Sequence, residues 1–119
     1  MSTQEENKMT LKDIVFKFLT KKFEFKALND KIKGESGQKW KFDGVINHNN
    51  QKIGIVVKDW DRFIGINQVR LFEKACIDVG FSGGILFGND FSSHAKLYGK
   101  NRGLKIIDKQ ELLYKLNLI

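Results

Sequence analysis

The chain has 119 residues, of which 41% are hydrophobic and 12% aromatic, and its formal net charge is +7. That length supports one domain with its own core and is short for two. The composition excludes an unstructured chain, the apolar runs are too short to span a bilayer, and a single cysteine excludes an internal disulfide.

The first eight residues, Met1 to Lys8, are polar and partly acidic, without the basic and apolar regions of a secretion signal. With the lone cysteine they predict a soluble, cytoplasmic protein. The excess of lysine and arginine points to nucleic acid as partner, DNA first and RNA as the alternative. Proline is absent, so turns must be read from glycine and asparagine.

Residues 1–8 read as a frayed tail and 9–119 as a single domain. Thr10 followed by Asp13 fits a helix start of the capping-box kind. Leu11, Ile14, Val15, Phe18 and Leu19 then share one helical face. Phe23 to Leu28 alternates apolar and charged residues, the period of a half-buried strand. Residues 29–39 are polar, hold Gly34 and Gly37, and read as a loop. Trp40 to Trp60 reads as a hairpin, with His48-Asn49-Asn50-Gln51 as its turn. The spacing predicts a second helix over 66–79, with Leu71 on its apolar face and Gly80 beyond its end. Gly84 to Phe87 is a continuous apolar run bounded by glycines, which suits a strand buried on both faces. Asp90 or Ser92 can cap a third helix from Ser93 to about Asn101. Leu104 to Ile107 reads as a strand, and Asp108 can cap a last helix carrying Leu112, Leu113 and Leu116. The order is α-β-β-β-α-β-α-β-α, which implies an α/β fold with a mixed central sheet flanked by helices.

Each arm of the Trp40–Trp60 hairpin carries a charge where an apolar residue is expected: Asp43 in the first and Lys58 at the end of the second. An acid and a lysine on neighbouring strands of a basic chain suggest phosphodiester chemistry or its remnant. The bland readings are a bulge residue for Asp43 and a strand-end lysine for Lys58.

The order of elements, with Phe42-Asp43-Gly44-Val45-Ile46 and Ile55-Val56-Val57-Lys58, resembles the restriction-endonuclease-like superfamily, and within it the Mrr-type branch, with the archaeal Holliday-junction resolvases as cousins. Asp90-Phe91-Ser92-Ser93-His94-Ala95 and Gly103-Leu104-Lys105-Ile106-Ile107-Asp108 are similar to the tail of Mrr-type domains, and the likeness spans about residues 10 to 117. The resemblance implies a restriction-endonuclease-like core and metal-dependent DNA cleavage. It implies Asp43 and a Glu or Gln two residues before Lys58 as ligands for Mg²⁺ or Mn²⁺, and Lys58 as the group that stabilises the transition state. It also makes a homodimer an expectation.

One position departs from the pattern: Val56 stands where the Glu or Gln belongs, and valine offers no oxygen. The substitute acids to consider are Glu24, assigned a catalytic role with Asp43 and Lys58, and Glu35, assigned to the metal with Asp43. Asp61 and Asp13 are further candidates, while alternation turns Asp59 to the opposite side of its strand from Lys58. Lys96, Lys100 and Arg102, with Gln68 and Arg70 on the second helix, are the candidate DNA contacts, against the bland reading of a solvated face. Trp40, Trp60 and the phenylalanines read chiefly as core, with base stacking as the sharper alternative. Cys76 reads as a small buried hydrophobe. Three functions stay open: a nuclease with a degenerate site, a catalytically silent nuclease fold that binds DNA or RNA or serves as a subunit, and a protein-interaction domain.

Overall fold

The structure is a computed structural model and describes residues 9–117; the expected tail, residues 1–8, lies outside the described residues. Helix α1 runs Leu11–Lys22, and the short strand β1 (Glu24–Ala27) follows it directly. Thr10 Oγ1 accepts from the Asp13 N–H while the Asp13 carboxylate accepts from the Thr10 N–H, so the predicted capping box forms. Residues 29–39 depart from the sequence reading. Together with Trp40, expected in the hairpin, they form a two-stranded ribbon of β2 (Ile32–Lys33) and β3 (Lys39–Trp40). Two-residue strands are too short to show a period, so the sequence offered no signal for them.

The hairpin forms from β4 (Gly44–His48) and β5 (Gln51–Lys58), and its turn residues Asn49 and Asn50 have φ of 51° and 64°. Two consecutive left-handed residues are what a two-residue hairpin turn with the strand twist requires, and asparagine tolerates them better than most residues. Helix α2 (Ile66–Val79) ends at Gly80, whose φ of 82° makes a left-handed cap. Strand β6 (Gly83–Gly88), helix α3 (Ser93–Asn101), strand β7 (Lys105–Asp108) and helix α4 (Lys109–Asn117) complete the chain. Ser92 caps α3 through the Ala95 N–H, and Asp108 Oδ1 accepts from the Glu111 N–H in the first turn of α4.

The main sheet has the order β1-β4-β5-β6-β7. Its first three strands are antiparallel and its last three parallel, so β5 is where the direction of pairing changes. Helices α1 and α4 cover one face, where Leu11, Val15, Leu19 and Leu112 pack on Ile46, Ile55, Ile85 and Phe87. Helices α2 and α3 cover the other, where Val69, Phe72, Cys76 and Ala95 pack on Phe42 and Leu86. Strand β6 is buried on both faces from Gly84 to Gly88, as its glycine-bounded apolar run predicts. Burial pushes the Cys76 thiol up to about 12, which leaves it an inert core group. Leu71, expected on the apolar face of α2, is 49% exposed instead of lying in the core. No helix among the described residues is long and apolar enough to cross a membrane.

The ribbon β2–β3 is tied down at one point. Asp78, near the end of α2, accepts from Ser36 N at 2.9 Å, Ser36 Oγ at 2.6 Å and Trp40 Nε1 at 2.7 Å. The bonds from Ser36 and then Trp40 hold the Asp78 carboxyl below the usual carboxylate range.

Candidate active site and nucleic-acid interface

Alternation along β5 sends Ile53, Ile55 and Val57 toward α1 and α4, and Gly54, Val56 and Lys58 toward α2. Val56 and Lys58 therefore share a face, as the motif needs. On the neighbouring strand the alternation breaks. Ile46 and Gly44 face the α1 side, and Phe42, of the same parity, crosses to the α2 side to pack on Phe72 and Phe81. Gly54 makes that crossing possible, because a Cβ there would lie 2.6 Å from the Phe81 ring and 2.8 Å from the Phe42 ring. The break falls at Asp43.

Asp43 is consequently held by its backbone and side chain together. Its N–H donates to Ile55 O, and its carbonyl accepts from Leu28 N. Its Oδ2 accepts from the Val57 N–H at 2.7 Å, so the carboxylate continues the β4–β5 ladder where the backbone has turned away. Its Oδ1 lies 3.4 Å from the Lys12 ammonium of α1, and only 16% of the side chain is exposed. Lys58 approaches from the α2 side. Burial holds its pKa below 10.5, and the negative charge of Asp43 offsets that only in part.

Val56 and Lys58 line a small cleft of about 80 Å³ with Trp40, Lys41, Gln68, Leu71 and Phe72. The Lys41 ammonium donates to Asn29 O at 2.9 Å, which pins the loop beside the cleft. Gln68 thus faces the cleft. Arg70, placed beside it in the sequence reading, instead lies over the Tyr98 ring, 5.4 Å from its centroid.

The acids considered as substitutes for Val56 are placed elsewhere. Glu24 pairs with Asn47, three residues along β1 from Ala27, the partner of Gly44. That is roughly 10 Å along the strand from the Asp43 end. Glu35 sits in the ribbon turn, its N–H bonded to Asp78 O, and does not line the cleft. Asp13 is used in the α1 cap, and Asp59 accepts from Asn89 Nδ2. Asp61 is exposed in the loop after Trp60. Among the described residues no three His, Cys, Asp or Glu side chains gather as a metal-binding group.

The candidate DNA contacts on α3 divide. Lys96 pairs with Asp108 at 2.9 Å, and Arg102 lies 3.8 Å from Glu73 and 5.1 Å from the Tyr98 centroid. Lys100 is exposed and makes no ion pair among the described residues. Lys12 carries no motif signal in the sequence, being one lysine among several along α1. Only the packing of that helix against the end of β4 brings it to Asp43.

A meander of three antiparallel strands continued by two β-α-β units, with Asp43 and Lys58 both carried at the same end of the central hairpin, fits a restriction-endonuclease-like core. The restriction endonuclease family model of the Mrr catalytic type matches residues 5–116, and the chain belongs to that family. A crystal structure of a protein of unknown function, AF1548, is similar in fold. Its TM-score is 0.67 at 21% identity, and the match covers 87% of this chain and 61% of that one. The chain therefore spans about three-fifths of that protein's length. No curated protein matches the sequence.

Restriction endonuclease domains of this family generally use Mg²⁺ or Mn²⁺. The donor set here does not fit such an ion. The carboxylate of Asp43 is engaged by an N–H and an ammonium, Val56 offers no oxygen, and Lys12, which is no part of the motif, would repel a divalent cation.

Proposed function

We propose that this nuclease-fold protein binds DNA through the cleft at Lys41 and Lys58 without hydrolysing it. The observation that carries the reading is Val56 in the cleft where an oxygen ligand belongs, together with the Lys12 ammonium already paired with Asp43. In an active site of this type, two oxygen-bearing side chains and a lysine frame a metal and a phosphate. Here the single carboxylate is neutralised from within the chain, and its neighbours are cationic. A phosphate oxygen approaching Lys41 and Lys58 in the cleft meets positive charge with no metal required. The net charge of +7 supports the same partner.

The test is a paired binding and cleavage assay on linear, supercoiled, single-stranded and branched DNA with Mg²⁺ or Mn²⁺. Retention that weakens steeply with salt, is indifferent to EDTA and gives no product on any substrate is the expected result. EDTA-sensitive cleavage that Lys58→Ala abolishes would overturn the proposal and make the protein a nuclease despite Val56. The double variant Lys12→Ala, Val56→Glu removes the competing ammonium and adds a second carboxylate. It is expected to gain Mn²⁺-dependent thermal stabilisation that the natural protein lacks.

A further inference from the structure

The loop from β5 to α2 presents an aromatic surface that the cleft itself does not use. Phe63 is 66% exposed, and its surroundings mix apolar and polar groups. With Trp60, Arg62, Asn67 and Gln68 it lines an open cavity of about 380 Å³. Over the Trp60 ring lie two cations, the Arg62 guanidinium 4.5 Å and the Lys58 ammonium 4.8 Å from the centroid. Neither is within 4.0 Å of a carboxylate among the described residues. Gln68 lines both this cavity and the cleft, and Lys58, which lines the cleft, lies over Trp60 of the cavity, so the two adjoin.

The chemistry of the surface narrows its occupant. An apolar protein patch would cover Phe63 and leave Arg62 and Lys58 without a counter-charge. An acidic peptide would match the cations and leave the exposed ring without a flat partner. A nucleotide supplies both a π-face for the ring and a phosphate for the cations. The base must be unpaired, because both faces of a base inside a duplex are already stacked. Asp61, exposed in the same loop, is the opposing charge there.

We propose that Phe63, with Trp60 and Arg62, is a stacking site for an unpaired nucleobase, which directs the protein to single-stranded or locally unpaired DNA. The inference rests on the reading of the chain as a DNA-binding protein.

The experiment uses three oligonucleotides: a single strand carrying 2-aminopurine, a duplex with a bulged 2-aminopurine, and the fully paired duplex. They are titrated with the natural protein, Phe63→Ala and Phe63→Trp. Because Phe63 is exposed, neither change disturbs the core. The natural protein is expected to prefer the unpaired forms by about tenfold, the scale of one base stacked on an aromatic side chain, and to change the fluorescence of the probe. Phe63→Ala should lose the preference and the fluorescence change while keeping its affinity for the paired duplex, and Phe63→Trp should keep both. Equal binding of all three DNAs, with Phe63→Ala indistinguishable from the natural protein, overturns the stacking site and leaves DNA binding standing. Failure to retain any of the three at low salt overturns both.

Discussion

Two basic surfaces flank helix α2, and they differ in what their cations touch. On the α3 side, Arg102 lies by Glu73, Lys96 is bonded to Asp108, and Arg70 and Arg102 both lie over Tyr98. Tyr98 in turn donates to Glu73 at 2.7 Å. On the β5 side, Lys58 and Arg62 lie over Trp60 with no carboxylate in ion-pair range among the described residues. A cation paired with an internal carboxylate must give up that partner to bind phosphate, whereas one resting on an indole can bind phosphate and keep its aromatic contact. On the first surface Arg102, Tyr98 and Glu73 tie α2 to α3, and Arg70 is its one cation held by a ring without a carboxylate among the described residues. On the second, both cations are held that way. Charge counted along the chain does not separate them.

The largest effect should come from breaking the first surface at its centre. Tyr98→Ala removes the ring between two arginines and the hydroxyl on Glu73. For a half-buried aromatic this should cost about 2–3 kcal/mol, below the range for a fully buried ring. Urea unfolding gives the stability, and gel shifts over a range of salt give the number of phosphate contacts. If the arginines serve only to tie α2 to α3, the salt slope should match that of the natural protein. A reduced slope would make the α3 side part of the interface.

Lys58→Ala probes the second surface. Loss of one phosphate contact should lower the salt slope by about 1 and weaken every DNA alike. The same residue gives a pH signature. Because the folded value of Lys58 is lowered, the unfolded state binds more protons between that value and 10.5. Its burial therefore penalises folding fully below the folded value, and the penalty is relieved as pH rises toward 10.5. Stability contributed by this residue rises through that window, while its share of DNA binding falls as the ammonium is lost. Lys58→Ala should remove both trends. Unchanged pH profiles would show that Lys58 keeps its proton and contributes no titrating charge to binding.

The contrast between the surfaces also marks how far the sequence reached. Periodicity was sufficient for Leu11 to Leu19, for the hairpin with its two asparagines, for α2 ending at Gly80 and for β6 between its glycines. Each of those signals is local, a repeat or a turn residue within a few positions. The β2–β3 ribbon escaped because its anchor, Asp78, lies 42 residues from Ser36. The site was legible in part: alternation put Val56 and Lys58 on one face, and the resemblance singled out Asp43. The approach of Lys12 and the internal partners of Lys96, Arg70 and Arg102 depend on how helices pack. Residue type and spacing carry no record of that.

The smallest effect belongs to the pair at the far edge of the sheet. The bond to Asp108 raises the pKa of Lys96. Against the upward push of its own burial, the Glu111 N–H and then Lys96 hold the Asp108 carboxyl below its ordinary 3.8. The lysine side chain is 48% exposed, so solvent screens the pair and Lys96→Ala should cost only about 0.5 kcal/mol near neutral pH. The stabilisation from Asp108 is complete above 3.8 and drains as pH falls through its folded value. Natural and substituted proteins should therefore converge in stability in acid. Their DNA salt slopes should coincide at every pH. If Lys96→Ala instead lowers the slope by about 1 while leaving stability untouched, the lysine releases Asp108 to hold phosphate, and the division between a structural and a binding surface fails at that residue.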